Sequence, residues 1–155
     1  MTEAQRIADL LTRAVWGEAW HGPGLHDILT DITAAQALAK PIPNAHSIWD
    51  LVLHLTAWAD IVAKRLAGGR WEEDESWPEV RETDQTAWDA TRAAAEQSHD
   101  RLAAVIRTLS EARLAELMPG EPPMVYIQLH GLIQHSLYHL GQIALLKKAS
   151  STGRA

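Results

Sequence analysis

The chain has 155 residues, 46% of them hydrophobic and 22% charged, with a formal net charge of −6. That is one domain of ordinary globular sequence, long enough to bury about two thirds of its unfolded surface. The acidic balance argues against nucleic acid as a partner, because such domains carry a basic patch, and Lys64–Arg65 and Lys147–Lys148 are too short to make one. No cysteine is present, which excludes disulfides, Cys-ligated zinc and a protein thiol nucleophile. Any metal must rest on imidazole, carboxylate or water. The start MTEAQRIADLL lacks the basic residues and apolar run of a signal peptide. No run of about 20 apolar residues suggests a membrane span, and a cytoplasmic location is expected. Seven Trp against no Phe is an unusual balance, so several of the Trp are expected to line something.

Glu3 to about Gly17 reads as the first helix. Ile7, Leu10, Leu11, Ala14 and Val15 recur at helical spacing, with Arg6, Asp9 and Arg13 between them. Trp16 and Trp20 extend the apolar side until His21-Gly-Pro-Gly24, where Pro23 starts a helical turn more easily than it continues one. A short piece is expected from Leu25 to Thr30. Thr33-Ala-Ala-Gln36 has the capping-box pattern for another, and Pro41 to Ala45 reads as loop. Ser47 is placed to cap the second long helix, with Asp50 at the third position. Its apolar face includes Leu51, Leu55, Trp58 and Val62, and it is expected to end at Gly68-Gly69. His54 lies between Leu51 and Trp58 at three and four residues, so it faces inward with them.

Gly68 to Thr83 is acidic and contains Pro78, so it reads as a connection. A link of about 15 residues spans about 45 Å when extended, more than the roughly 30 Å of a 20-residue helix. It can cross the domain and leave its two flanking helices parallel. The third helix is predicted from Asp84 to Leu109, with Trp88, Thr91, Ala95, Leu102, Ile106 and Leu109 on its buried stripe. Ser110 to Met118 reads as a short turn of helix and Pro119 to Pro123 as a break. The predicted fold is all-α: a four-helix bundle, up-down-down-up, with a long crossover between helices 2 and 3. Residues 1–149 are expected to form a single domain and 150–155 a disordered tail.

The final helix, Met124 to Lys148, carries the main chemical signal. From Met124 to Leu146 it contains no Asp, Glu, Lys or Arg, so most of it should be buried. His135 and His139 sit four apart, which leaves two side chains about 40° apart around the axis and about 6 Å apart along it. Two imidazoles so placed can reach one ion, as the paired His of H-E-x-x-H helices do. The plainer alternative is two core histidines, each bonded to a carbonyl or hydroxyl. His130 is rotated about 140° and 180° from the pair, and reads as a packing or interface residue. Glu96-Gln-Ser-His99 matches the Glu-x-x-His unit of di-iron bundles, but that chemistry needs two such units and further carboxylates. With one unit the di-iron reading is rejected, and His99, followed by Asp100 and Arg101, is expected at a surface edge. His21 and His26 read as solvated loop, and His46 carries no signal. What remains is His54 facing the His135/His139 pair. Three neutral imidazoles suit Zn, Ni, Co or Cu better than Mg or Ca, and three protein ligands leave a position open, the pattern of a catalytic site.

HSIWDLVLHLTAWAD on the second long helix and HGLIQHSLYHLGQIALL on the last resemble the DinB superfamily of DinB/YfiT-like metal-dependent proteins. The WHGPGL turn after the first helix is similar too, so the resemblance covers nearly the whole chain. It implies a four-helix bundle of up-down-down-up order, often dimeric, with a divalent metal on three side chains. Carried over position by position, those are His54, His135 and His139. The mycothiol-dependent isomerase branch has Glu where this chain has His135, whereas the thiol S-transferase and YfiT-like branches have His there. The expected function is a metal-dependent hydrolase or a low-molecular-weight-thiol S-transferase. It would use one divalent transition-metal ion, Zn or Ni, on a small-molecule substrate, as a homodimer. No general base stands out. Asp50 is placed either to orient the His54 ring or only to cap its helix, and Trp58 and Gln142 are placed to line a pocket. Two rivals stand beside this reading: a non-catalytic, stress-associated dimer that binds metal, and a metal-free helical interaction module. A Trp-lined pocket over the metal favours the enzyme; a closed shell favours the non-catalytic protein.

Overall fold

The computed structural model describes residues 1–70, 72–118 and 124–151. Within them the protein is all-α. The helices are α1 (Glu3–Trp16), α2 (Leu25–Leu29), α3 (Ala34–Leu38), α4 (Ile48–Leu66), α5 (Gln85–Arg107), α6 (Glu111–Leu114) and α7 (Val125–Ser151), with a 3-10 turn at Glu73–Ser76. Extended pairing among the described residues is limited to the isolated bridges Ala19–Gly22 and Leu117–Met124.

The helix starts follow from local hydrogen bonding. Thr2, Thr33 and Ser47 close capping boxes with Gln5, Gln36 and Asp50, each satisfying backbone N–H groups that the first helical turn leaves unpaired. Asp84 and Ser110 cap α5 and α6 in the simpler way, accepting from the amides of Ala87 and Arg113. Two expectations shift. Leu10, read as part of the buried stripe, is 48% exposed, and α1 buries Ala4, Ile7, Ala8, Leu11, Ala14 and Val15 instead. The last helix runs through Ser151, past the point where a tail was expected. The rest of that tail, from residue 152, and the break at Pro119 to Pro123 lie outside the described residues.

α5 packs on α4 and on α1, and α7 packs on the same two helices. The apolar interior falls into two clusters along their length. At one end Ile7 and Leu11 of α1 meet Val62, Leu102, Ile106, Leu129 and Leu132. At the other end α1 has stopped, and Leu25, Leu29, Ile32 and Ala37 take its place against Trp49, Leu55, Trp88, Leu140 and Ile143. The turn that makes this substitution possible depends on Gly24. A Cβ there would lie 2.5 Å from the Gly17 amide nitrogen and 2.6 Å from the Val15 carbonyl oxygen, so only glycine lets the chain fold back so tightly on the end of α1. Each Leu or Ile so buried stabilises the fold by about 1.5–3 kcal/mol. Those contacts fix α4 and α7 against each other, and the inward polar groups between them are held in place as a result. No described helix is long and apolar enough to cross a membrane.

The connection from α4 to α5 does more than span a distance. Its 3-10 turn lies back along α4, where Lys64 Nζ donates to both carboxylate oxygens of Glu75 at 3.1 Å.

Candidate metal centre

His54 is in the middle of α4, and His135 and His139 are one turn apart on α7. Because α4 and α7 bury the faces that carry these residues, the three rings meet between the helices. His54 and His139 are buried, at 4% and 7% exposure, and His135 is half-buried. The Nε2 atom of His135 lies 3.0 Å from Nε2 of His54 and 3.0 Å from Nε2 of His139. One ring nitrogen from each of the three falls within 4.8 Å of the others, and no other group of three such side chains occurs among the described residues.

The outer nitrogens decide what the inner ones are. His54 Nδ1–H donates to the Ser76 carbonyl at 2.5 Å, a partner that can only accept, and His139 Nδ1–H donates to Gln142 Oε1 at 2.8 Å. A neutral imidazole has one proton, so Nε2 of both rings is a bare lone pair. His135 Nδ1 is buried and has no hydrogen-bond partner among the described residues. If the His135 proton is on Nε2, it satisfies one of the two facing lone pairs and leaves the other, and its own Nδ1, unpaired. If it is on Nδ1, three lone pairs face one another. The three rings cannot satisfy themselves, and a cation at their centre resolves the deficit. Two nitrogens bound to one ion at about 2.0–2.1 Å are about 2.9 Å apart at a right angle and about 3.4 Å apart at the tetrahedral angle. The 3.0 Å from His135 to each of the other two lies in that range, and all three ligand atoms lie within 4.8 Å of one another, a donor set of the size and chemistry that such an ion takes.

The electrostatics point the same way. Burial pushes the His135 imidazolium down to about 4, helped by His139 and His54. Burial also lowers His54, against the opposing pull of the Ser76 carbonyl, and His139, against that of Gln142. All three rings are therefore neutral near neutral pH, the state in which imidazole is a ligand.

Aromatic rings enclose the cluster. Trp77 lies flat on His54, with ring centroids 3.7 Å apart and planes 15° apart, and Trp58 meets His135 edge-on at 5.8 Å. A cavity of about 300 Å³ adjoins, lined by Ile42, His46, Leu51, Gln142, Leu145 and their neighbours. Gln142 thus touches both the cavity and His139.

A family model of the DinB superfamily matches residues 20–143. The chain belongs to the DinB superfamily. No curated protein matches it. The DinB span takes in all three histidines together with Ser76, Trp77 and Gln142, so the residues that converge in space also lie within the family's shared region.

Among the other residues singled out from sequence, Asp50 does not orient His54. Its carboxylate accepts from the Ser47 amide at 2.9 Å and faces Lys40 at 3.4 Å, closing the helix cap, while Ser76 takes the His54 proton. His99 is not at a surface edge: it is 2% exposed, and its Nδ1–H donates to the Ala95 carbonyl one turn back. Glu96 is paired with His26 at 2.7 Å, so His26 is not a free loop residue. His130 packs against Tyr126, with ring centroids 4.4 Å apart and planes tilted by 54°. His46, which carried no sequence signal, stacks on the outer face of Trp77 with centroids 4.1 Å apart. Ser76 and Trp77 were missed because a carbonyl on a non-periodic connection has no sequence signature. The one available hint was an aromatic residue, Trp77, within an otherwise acidic stretch.

Proposed function

We propose that this DinB-superfamily protein holds one divalent transition-metal ion, zinc or nickel, on His54, His135 and His139. We propose further that it uses the ion as an enzyme, either a hydrolase or a low-molecular-weight-thiol S-transferase. The observation that carries this reading is the convergence of three Nε2 atoms that cannot satisfy one another with their own protons. When bound, the ion would supply Lewis acidity and lower the pKa of a water or thiol brought to it. The chain's own residues do the rest. Ser76 and Gln142 orient two of the ligands, burial keeps protons off all three, and a set of three protein ligands leaves room for a fourth from outside. Trp58 beside His135, and the adjoining cavity with Ile42, Leu51 and Leu145 in its lining, offer a small substrate apolar surface. A chain without cysteine fits a thiol that arrives as cosubstrate.

The same reading takes residues 1–149 as a single cytoplasmic domain and α1, α4, α5 and α7 as a four-helix bundle of up-down-down-up order. The packing of both α5 and α7 on both α4 and α1 supports it, as does the long crossover between α4 and α5. Exposed Ile127, Tyr138 and Leu145 on α7 support a homodimer. The catalytic part is tested by loading the protein with Co(II) and titrating azide, then a simple thiol, while following the visible spectrum. A spectral change is expected with each, from entry of a fourth ligand. Cobalt bound at the three histidines with a spectrum indifferent to both would contradict catalysis and leave the non-catalytic metal-binding protein. Turnover of simple esters and amides without thiol, against transfer to electrophiles only with thiol, then separates the two reaction classes.

A further inference from the structure

The connection between α4 and α5 enters the centre from outside the helices that carry the ligands. The 3-10 turn Glu73–Ser76 and the following Trp77 make two separate contacts with His54, one in the plane of the ring and one on its face. In the plane, the Ser76 carbonyl accepts the Nδ1 proton at 2.5 Å. On the face, Trp77 covers the ring at a centroid distance of 3.7 Å and 15° between planes. Trp77 is itself backed by His46, at 4.1 Å and 19°. The three rings are close to parallel, and His46 is not among the ring neighbours of His54, so Trp77 is inserted between them. The turn is tied to α4 one residue before Ser76, where Lys64 grips Glu75. Every degree of freedom of the His54 imidazole is thereby set: the carbonyl selects the tautomer and the tilt, and the stacked indole blocks rotation out of plane.

We infer that the crossover strap, through Ser76 and Trp77, is the positioning element of the metal centre, and that it fixes His54 with Nε2 bare and aimed at His135 and His139 before any ion arrives. Trp77 is a positioning residue and touches neither the ion nor a substrate. The inference rests on the proposed metal site for its consequence, but its structural content holds without metal. Outer partners that orient a ligating histidine typically change metal affinity 10–100-fold, because a ring free to rotate or to change tautomer must be ordered again on binding. His46 acts through Trp77 and should matter less.

The test has two readouts on the full chain. In metal-free protein, long-range 1H–15N correlation spectra show which nitrogen of His54 carries the proton. Nδ1–H is expected in the wild type; in Trp77→Ala the unblocked ring can turn off the Ser76 carbonyl, so a shift toward Nε2–H is expected, with Trp77→Phe restoring most of the wild-type pattern. In parallel, zinc affinity is measured by competition with a chromophoric chelator. A loss of about tenfold or more is expected in Trp77→Ala, a few-fold loss in His46→Ala and substantial recovery in Trp77→Phe, with far-UV circular dichroism unchanged. If the His54 tautomer is the same with and without Trp77, the inference is overturned, whatever the affinities. If the tautomer shifts as expected but the wild type binds no zinc, the strap stands as the element that sets His54 and the proposed metal site fails. Equal zinc affinity in wild type and Trp77→Ala would also overturn the inference, with the metal site intact.

Discussion

Two groups of histidines sit on the helices of this protein, and they differ in how their nitrogens are partnered. His26, Glu96 and His99 form the group that looks richer on paper, because it has a carboxylate and a Glu-x-x-His spacing. There one nitrogen of each ring has a local partner: His26 Nδ1 meets Glu96 at 2.7 Å, and the buried His99 donates to its own helix at Ala95. At His54, His135 and His139 the outer nitrogens of two rings are fixed by Ser76 and Gln142, and the inner nitrogens crowd together at 3.0 Å without protons enough to pair them. A histidine count does not distinguish the two groups. Convergence of unshared lone pairs does.

The largest difference between them should appear in metal content. His54→Ala and His139→Ala are each expected to reduce bound metal from about one ion per chain to near zero, since two imidazoles remain where a site needs three or more ligands. His26→Ala and His99→Ala are expected to leave it unchanged, as measured by elemental analysis. Loss of metal in His99→Ala with the fold intact would erase the distinction.

The next effect is on stability, and it runs the other way. His99 is a packed core group, so His99→Ala is expected to cost about 2–4 kcal/mol through the space it leaves, measured by urea unfolding of metal-free protein. A cost under about 0.5 kcal/mol would place the ring at the surface after all.

Acid sharpens the same point. Burial holds the His99 pKa below its ordinary value of 6.5 in the folded state, so between that folded value and 6.5 the unfolded chain binds the extra proton. Stability is full above pH 6.5 and is lost as pH falls through this window. Unfolding curves of metal-free protein from pH 7.5 to 5 are expected to show this loss, and His99→Leu should flatten part of it. An identical pH slope in the variant would mean that His99 titrates normally.

The smallest effect belongs to the pair that most resembles a ligand set. The His26–Glu96 contact is partly exposed, so Glu96→Gln is expected to change stability by less than about 1 kcal/mol and metal content not at all.

Much of this could be read from sequence, for identifiable reasons. Capping chemistry is local, and Thr33 and Ser47 start helices where their spacing says they should. Helical phase is also local, and it brings His54 inward beside Leu51 and puts His135 and His139 on one face. His99 was misplaced because Asp100 and Arg101 beside it suggested solvent. In the helix they turn away, while His99 follows Ala95 by one turn into the interior. Asp50 was one turn from His54 and still not its partner, since a helix N-terminus competes for the same carboxylate. The Ser76 carbonyl and Trp77 depend on where a long connection comes to rest, and no periodicity encodes that.

The claim on which the rest depends is that the three histidines hold an ion. The direct measurement is elemental analysis of protein purified without a metal-affinity column and then offered Zn or Ni, beside His139→Ala. About one tightly held ion per chain in the wild type, and none in the variant, is the expected result. A wild type that retains no Zn or Ni after loading would contradict the account and leave three core histidines in a helical protein.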